Sequence, residues 1–133
     1  MQKLNQSYIK SLVKKALDED LKPRGDITTK LIKFKNKKAK AQIIAKQNGV
    51  ISGLDFCKTA FKLVGKETVF VSKVKDGSKV KKNKVIAEIK AKTKTILIAE
   101  RTALNFLNHA SGISTLTNLF VKKVNKKTKI CCT

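Results

Sequence analysis

The sequence predicts an α+β fold, an open β-sandwich with flanking helices, and three observations support this class. Apolar residues recur at intervals of three and four near the N-terminus and again after residue 95, the period of an amphipathic helix. Between these regions lie short segments in which apolar and polar residues alternate, as in half-buried strands. Asn-Gly and Asp-Gly pairs separate those segments and indicate tight turns. With 133 residues, the chain can bury a modest single core.

The first helix is predicted from an apolar face formed by Tyr8, Ile9, Leu12, Val13, Ala16 and Leu17. Ser7 is its predicted N-cap, because a serine hydroxyl can accept a hydrogen bond from an amide of the first turn. A proline disfavours a helical residue before it, so the helix should end before Pro23. The polar turn at 19–29 has two open interpretations. It is either a ligand-holding loop, or a turn in which Asp26 caps and Arg24 pairs with a preceding acid.

The middle of the chain is predicted to hold four short strands and one helix. The strands are expected at 40–45, 50–52, 69–74 and 85–89, where apolar residues alternate. Asp76-Gly77 and Asn83 are the predicted hairpin turns. The helix follows Gly53 at about 54–64, and its expected inner face consists of Phe56, Cys57, Ala60, Phe61 and Val64.

From Thr95 onwards the pattern is helical, with a broad apolar surface and one unusual polar stripe. Arg101, Asn105 and Asn108 fall at i, i+4 and i+7, so they share one side of the helix. Their composition differs from the lysines elsewhere and indicates a face directed at something polar and specific. Ser111-Gly112 is predicted to break the helix, with a second helix following it. The final residues, 129–133, begin as an apolar strand, and we expect a second domain to follow them.

The formal net charge of +22 comes from 31 basic and 9 acidic residues, and all the basic residues except Arg24 and Arg101 are lysine. A charge of this size attracts nucleic acid and anionic membranes. The lysines are spread evenly, however, and no aromatic residues are interleaved with them to stack on bases. Nucleic-acid binding is therefore disfavoured. We expect any cleft to lie at positive potential and to attract anionic small molecules.

The sequence also argues against a membrane protein and against a metal site formed by the cysteines. No segment approaches the roughly 20 apolar residues that span a bilayer, and no signal peptide is evident, so a cytoplasmic location is expected. Cys57, Cys131 and Cys132 lack the spacing of a zinc site and are interpreted as reduced thiols in apolar packing. His109, the one histidine, is interpreted as a surface or helix-capping residue.

Arg101 is the residue with the strongest functional indication. Its planar guanidinium can hold a carboxylate or phosphate at two points, which a lysine ammonium cannot do. A chain that otherwise uses lysine is expected to keep arginine where that geometry is needed. The alternative interpretation is an intrahelical ion pair or a solvated helix face.

Five segments, in this order, resemble the N-terminal part of quinolinate phosphoribosyltransferase. The last two are specific to that family, whereas the first three would be weak alone. The segments are Glu19-Asp20-Leu21 with 25–29, then 49–53, then Asp76-Gly77 with Val80 and 85–87, then 99–107 containing Glu100-Arg101-Thr102, and finally 111–117.

The resemblance implies a transferase that joins the phosphoribosyl group of phosphoribosyl pyrophosphate to quinolinate. Nicotinate mononucleotide, carbon dioxide and pyrophosphate would be released, with Mg²⁺ serving the pyrophosphate. Residues 1–110 would form the substrate-capping, dimerising domain, and 111–133 would begin an α/β barrel, truncated at its first strand.

Within that scheme, Arg101 is implied to bind quinolinate carboxylates across a homodimer interface, and Thr133 to bind substrate from the barrel strand. Glu100 and Asn105 are implied as supporting residues. The catalytic groups would lie in the barrel, so this chain alone is expected to be inactive. Two alternatives stay open: a paralogue of the same fold with another substrate, and a basic nucleic-acid-binding module.

Overall fold

A computed structural model of the chain describes residues 4–21, 36–124, 128 and 130. Predictions for Arg24, Asp26, Cys131, Cys132 and Thr133 lie outside these residues. The described elements, in chain order, are α1 (Gln6–Leu21), β1 (Lys38–Ile44), β2 (Gly49–Val50), α2 (Leu54–Val64), β3 (Val69–Ser72), β4 (Lys79–Val80), β5 (Val85–Lys92) and α3 (Thr93–Lys123).

The strands form two small antiparallel sheets, which confirms the predicted α+β class with an open sandwich and flanking helices. β5 is the central strand of the larger sheet, between β1 and β3, while β2 has β4 as its one partner among the described strands. Ile89 on β5 lies opposite Ala41 on one side and Phe70 on the other. Ile89 and Phe70 are buried and Ala41 is half-buried, so this row of the larger sheet faces the core.

The turns at Asp76-Gly77 and Asn83 are not hairpins, and that prediction was wrong. The first turn connects β3 to β4 and the second connects β4 to β5, and in each case the two strands belong to different sheets. Gly77 has φ of 87° and Asn83 has φ of 69°, in the left-handed region that glycine and asparagine enter most readily. The turn residues are thus correctly identified, but local sequence does not determine which strands pair.

One hydrophobic cluster joins the larger sheet to all three helices. Each large apolar side chain in it stabilises the fold by about 1.5–3 kcal/mol relative to an exposed position. The members that are least exposed, at 0–2%, are Ile9, Val13, Cys57, Ala60, Phe61, Ala87, Ile89, Ala99, Ala103 and Leu107. The opposite face of the larger sheet is open to solvent. Along β1, exposed residues alternate with residues that are buried or half-buried.

The first two helices agree with their predicted positions but not with the predicted cap. α1 begins at Gln6, and the Asn5 side chain, not that of Ser7, accepts a hydrogen bond from a first-turn amide, 2.9 Å from Ser7 N. α1 is described to Leu21, and Pro23, before which its end is predicted, lies outside the described residues. α2 matches the predicted bounds, and its inner face is extended by Leu54, which is 6% exposed.

α3 is a single helix of 31 residues, so the predicted break at Ser111-Gly112 was wrong. An interior glycine costs about 1 kcal/mol relative to alanine, which tertiary contacts can offset. Here Ser111 Oγ accepts from Ser52 N at 3.0 Å and donates to Ser52 O at 3.1 Å. One turn later, Thr115 Oγ1 accepts from Val50 N at 2.9 Å. These bonds hold the helix, on both sides of the glycine, against Val50 of β2 and against Ser52 just after that strand.

Despite this length, none of the helices in the described ranges is apolar enough over a sufficient span to cross a membrane.

Candidate functional site

Arg101 lies in the first half of α3 with its side chain exposed, while three nearby residues of the helix, Ala99, Thr102 and Ala103, are buried. Ala99 and Ala103 are 0% exposed and Thr102 is 2% exposed. Packing of these residues against the core holds the helix backbone, so the guanidinium projects from a rigid element.

No described carboxylate lies within salt-bridge distance of Arg101. The salt bridge found among the described residues joins Lys73 Nζ to Glu88 Oε2 at 2.9 Å, on the outer face of the larger sheet. The intrahelical ion pair considered from sequence is therefore excluded for every described acid, including the adjacent Glu100. Among the described residues, the guanidinium therefore has no ion-pair partner.

Two grooves run along the two sides of α3. The first, which we call the sheet groove, has a volume of about 610 Å³ and lies between α3 and the strands. Apolar side chains dominate its lining, and among them are Ala41, Ile43, Ile86, Leu104 and Leu107. The second, which we call the α1 groove, has a volume of about 720 Å³ and lies between α1 and α3. Its polar lining consists of Glu19, Asp20, Thr102, Asn105, Asn108 and His109.

Arg101 occupies the ridge between these grooves. Asn108 lines both grooves, and Arg101 lies seven residues earlier, on the same side of a helix with 3.6 residues per turn. Asn105 lines the α1 groove, whereas Glu100 lines the sheet groove. The structure therefore brings together the predicted stripe of Arg101, Asn105 and Asn108, and places Glu100 on a different side of the helix.

His109 is exposed and lines the α1 groove. Because α3 continues to Lys123, His109 is not near a helix end, and the predicted capping role was wrong. Its surface position agrees with the other half of that prediction.

Sequence reasoning missed the contact next to Arg101. Thr102 Oγ1 donates a hydrogen bond of 2.6 Å to Asp20 Oδ2, across from α3 to the last turn of α1. Asp20 belongs to the first family-like segment and Thr102 to the fourth, but nothing in the sequence indicates that these two segments meet.

Other family-like segments hold helices in place. The Asp76 carboxylate accepts hydrogen bonds from Gly53 N and Leu54 N, both at 3.1 Å, and so caps the N-terminus of α2. Gly53 has φ of 95°, and a Cβ there would lie 3.2 Å from both Ala110 Cβ and Phe106 O. These residues therefore build the scaffold under α3, and their chemistry is not directed at a ligand.

Two titratable groups in the described ranges have altered pKa values, and neither lies on the ridge. The hydrogen bond from Lys73 lowers the pKa of Glu88, on the outer sheet face. Burial raises the pKa of Cys57 to about 12, so its thiol is neutral and is not a nucleophile at physiological pH. Cys57 is free and buried, as predicted. In the part of the chain that the structure describes, no group of three His, Cys, Asp or Glu residues could hold a metal.

Comparison with known proteins places these features in a family. Residues 26–111, more than half of the chain, match the model of the quinolinate phosphoribosyl transferase N-terminal domain. The chain is 41% identical over 130 residues to a probable carboxylating nicotinate-nucleotide pyrophosphorylase of Methanocaldococcus jannaschii, covering 95% of this chain and 44% of that protein. A Bacillus subtilis protein of the same description is 32% identical, with 98% and 45% covered.

Solved structures agree with the sequence matches. NadC from Streptococcus pyogenes superposes with a TM-score of 0.88 at 32% identity, covering 95% of this chain and 46% of that one. The nicotinate-nucleotide pyrophosphorylase of Francisella tularensis gives a TM-score of 0.84 at 33% identity, with 90% and 42% covered. The chain thus spans under half the length of these relatives. With the match over 26–111, the conclusion is that the chain belongs to the family of quinolinate phosphoribosyltransferase N-terminal domains.

Proposed function

We propose that this chain is the substrate-capping part of an enzyme that transfers a phosphoribosyl group from phosphoribosyl pyrophosphate to quinolinate. Nicotinate mononucleotide, carbon dioxide and pyrophosphate are the products, as in NAD synthesis. Family membership and the names of the relatives support the reaction class. The observation that carries the assignment is Arg101, exposed on a rigid helix with no described carboxylate in salt-bridge contact.

Arg101 suits a dicarboxylate for geometric reasons. A guanidinium offers paired donors in one plane, and adjacent carboxylates on an aromatic ring present matching acceptors. The buried residues on either side of Arg101 fix the helix backbone, so the backbone at this contact is already ordered before the substrate binds. The positive charge of the chain raises the local concentration of anionic substrates.

In this proposal, Arg101 enters the active site of the neighbouring subunit of a homodimer. Its position on a ridge supports this arrangement, because a convex feature can enter a partner's cleft more readily than it can enclose its own ligand. Catalytic groups would come from the barrel part of the longer protein, in which Thr133 would bind substrate. Asn105 would assist Arg101 from the same side of α3, whereas Glu100 faces the sheet groove and would support it less directly.

The Mg²⁺ ion and the cytoplasmic location stay predictions. The described residues contain no cluster of metal-ligating side chains and so do not offer a site for the ion. No step of the proposed mechanism is assigned to the metal.

Substitution of Arg101 tests the proposal in the full-length enzyme. Arg101→Lys keeps the charge but loses the paired donors, so we expect kcat/KM for quinolinate to fall about ten-fold or more, or about 1.4 kcal/mol and above. Arg101→Gln should lose more. Lys122→Gln, which removes one charge from the distant end of the same helix, is the matched control and should change kcat/KM by less than about two-fold.

Steady-state kinetics with each substrate varied separately measure kcat/KM for every variant. An unchanged kcat/KM for quinolinate in Arg101→Lys would refute the role of Arg101. A wild-type protein that forms no nicotinate mononucleotide would instead refute the substrate, and would favour a paralogue of the same fold.

A further inference from the structure

The hydrogen bond between Thr102 and Asp20 is unusual among the threonine contacts of this fold. Thr59 and Thr115, which also lie in helices, donate to the backbone carbonyl four residues earlier, at 2.7 Å in both cases. That local bond is the common solution for a helical threonine. Thr102 instead donates to a carboxylate on another helix, at 2.6 Å, within the range of strong charge-assisted O–H···O⁻ bonds.

Because Thr102 is buried, the loss of this hydrogen bond would cost free energy. Thr102 is 2% exposed, and it is one of two buried polar residues in the described part of the chain. A buried hydroxyl without a partner costs about 1–3 kcal/mol, so Asp20 stabilises the arrangement in which Thr102 points at α1. In the described ranges this is also the one side-chain hydrogen bond between α1 and α3.

The position of the bond ties it to Arg101, the preceding residue. Elsewhere in this turn α3 is held by Ala99 and Ala103, whose methyl groups pack without directional contacts. The hydrogen bond adds a directional restraint on the rotation of α3 about its axis. A rotation of about 10° would move a group about 6 Å from the axis by about 1 Å. Displacements of that size at a substrate contact can reduce rates by about a hundred-fold.

We propose that Asp20 and Thr102 form a positioning pair that sets the direction in which Arg101 meets the substrate carboxylates. The pair touches no substrate itself and acts through the helix backbone. This inference rests on the proposed function, because it concerns the geometry of the same substrate contact.

A double-mutant cycle in the full-length enzyme tests the pair. Thr102→Val keeps the shape and removes the hydroxyl, and we expect kcat/KM for quinolinate to fall about ten-fold with KM for phosphoribosyl pyrophosphate changed by less than about two-fold. In an Arg101→Lys background the same substitution should cost less than about two-fold, since the contact it orients is already lost. Thr102→Ser, which keeps the hydroxyl, should retain wild-type kinetics.

The carboxylate has its own matched pair of variants. Asp20→Asn weakens the acceptor, whereas Glu19→Gln removes the neighbouring charge in the same groove without touching Thr102. We expect Asp20→Asn to reproduce the effect of Thr102→Val and Glu19→Gln to leave quinolinate kinetics unchanged.

Equal losses from Thr102→Val in both Arg101 backgrounds would overturn the positioning role and leave only a structural one. A crystal structure of the full-length Thr102→Val protein provides a readout that does not depend on activity. An unchanged direction of the Arg101 Cα–Cβ bond relative to the sheet would also overturn the inference. A wild-type enzyme that is inactive with quinolinate would contradict the proposed function. The crystal structure of the Thr102→Val protein would still show whether the pair orients Arg101.

Discussion

Helix α2 takes its N-terminal cap from a residue 23 positions after Gly53. The Asp76 carboxylate accepts hydrogen bonds from the amides of both Gly53 and Leu54, which no side chain adjacent in sequence satisfies. A negative charge there also interacts favourably with the helix dipole. From sequence, the Asp-Gly pair at 76–77 indicates a turn only. Its aspartate has this second role because the turn lies beside α2 in the folded chain.

Removal of this carboxylate should destabilise the domain measurably. We expect Asp76→Ala to lower the free energy of unfolding by about 1–2 kcal/mol, the usual cost of losing an N-cap. Glu67→Ala, an equal charge change at an exposed turn, should cost less than about 0.5 kcal/mol. Urea denaturation of the 133-residue chain measures both. Equal midpoints for the two variants would show that the two hydrogen bonds contribute nothing.

A functional residue could be identified from sequence when its amino-acid type is rare in the chain. A residue whose role depends on a contact with a distant part of the chain could not. Arg101 stands out against a background of lysine, and the amino-acid composition alone reveals this contrast. Thr102 is an ordinary threonine by type, and its importance depends on Asp20, a residue 82 positions away. A contact of that range leaves no local pattern in one sequence.

At the scale of elements, α3 shows how tertiary contacts override a local stop signal. Ser111-Gly112 resembles a helix end, yet the Ser111 hydroxyl bonds to Ser52, the Thr115 hydroxyl bonds to Val50, and the helix continues. The helices at 6–21 and 54–64 can be located closely from sequence because their apolar faces are periodic. The pairing of the strands cannot be predicted in this way, because turn residues indicate where the chain changes direction but not which strand pairs with which.

Two glycines, one within α3 and one packed against it, should respond oppositely to alanine. Gly112 is helical and exposed, and an added Cβ would meet no atom within 4 Å, so Gly112→Ala should stabilise the chain by about 0.5–1 kcal/mol. Gly53 has φ of 95° with Ala110 and Phe106 close by, so Gly53→Ala should destabilise it by roughly 1 kcal/mol or more. Thermal unfolding of the two variants of the 133-residue chain tests both signs. Stabilisation by Gly53→Ala would contradict the left-handed conformation at that position.

At the scale of the whole molecule, the fold class could be predicted because it depends on many residues together. Helical periodicity at the two ends and alternation in the middle are properties of the entire pattern, and single errors in strand pairing do not change them. The charge of +22 is likewise a property of the whole chain. It bears on which ligands are attracted, and it contains no information about where they bind.

The reactivity of the Cys57 thiol can be used to measure whether the chain is folded. Its side chain is 0% exposed, and burial raises its pKa from 9.0 to about 12. In a chain with Cys131→Ser and Cys132→Ser, we expect no reaction with an aromatic disulfide reagent at about pH 8 until the protein unfolds, and rapid reaction in urea. A native-state reaction as fast as that of the unfolded chain would contradict the burial of this thiol.

The raised pKa of Cys57 also determines whether its contribution to the stability of the fold increases or decreases with pH. Above about pH 9, the unfolded thiol releases its proton while the folded one keeps it, so the unfolded state gains stability. The stability associated with this group is therefore fully present below that pH and declines as the pH rises further. Cys57→Ala should remove this alkaline decline.

The uninterrupted course of α3 has a mechanical consequence. Its second half carries exposed apolar side chains at Ile113, Leu116 and Phe120, each more than 50% exposed, while its first half carries Arg101. With no break at Gly112, both halves belong to one helix of about 46 Å, at 1.5 Å per residue. The Ser111 and Thr115 hydroxyls attach this helix to Ser52 and to Val50, respectively. The apolar side chains and the guanidinium are therefore held at fixed positions along one continuous element.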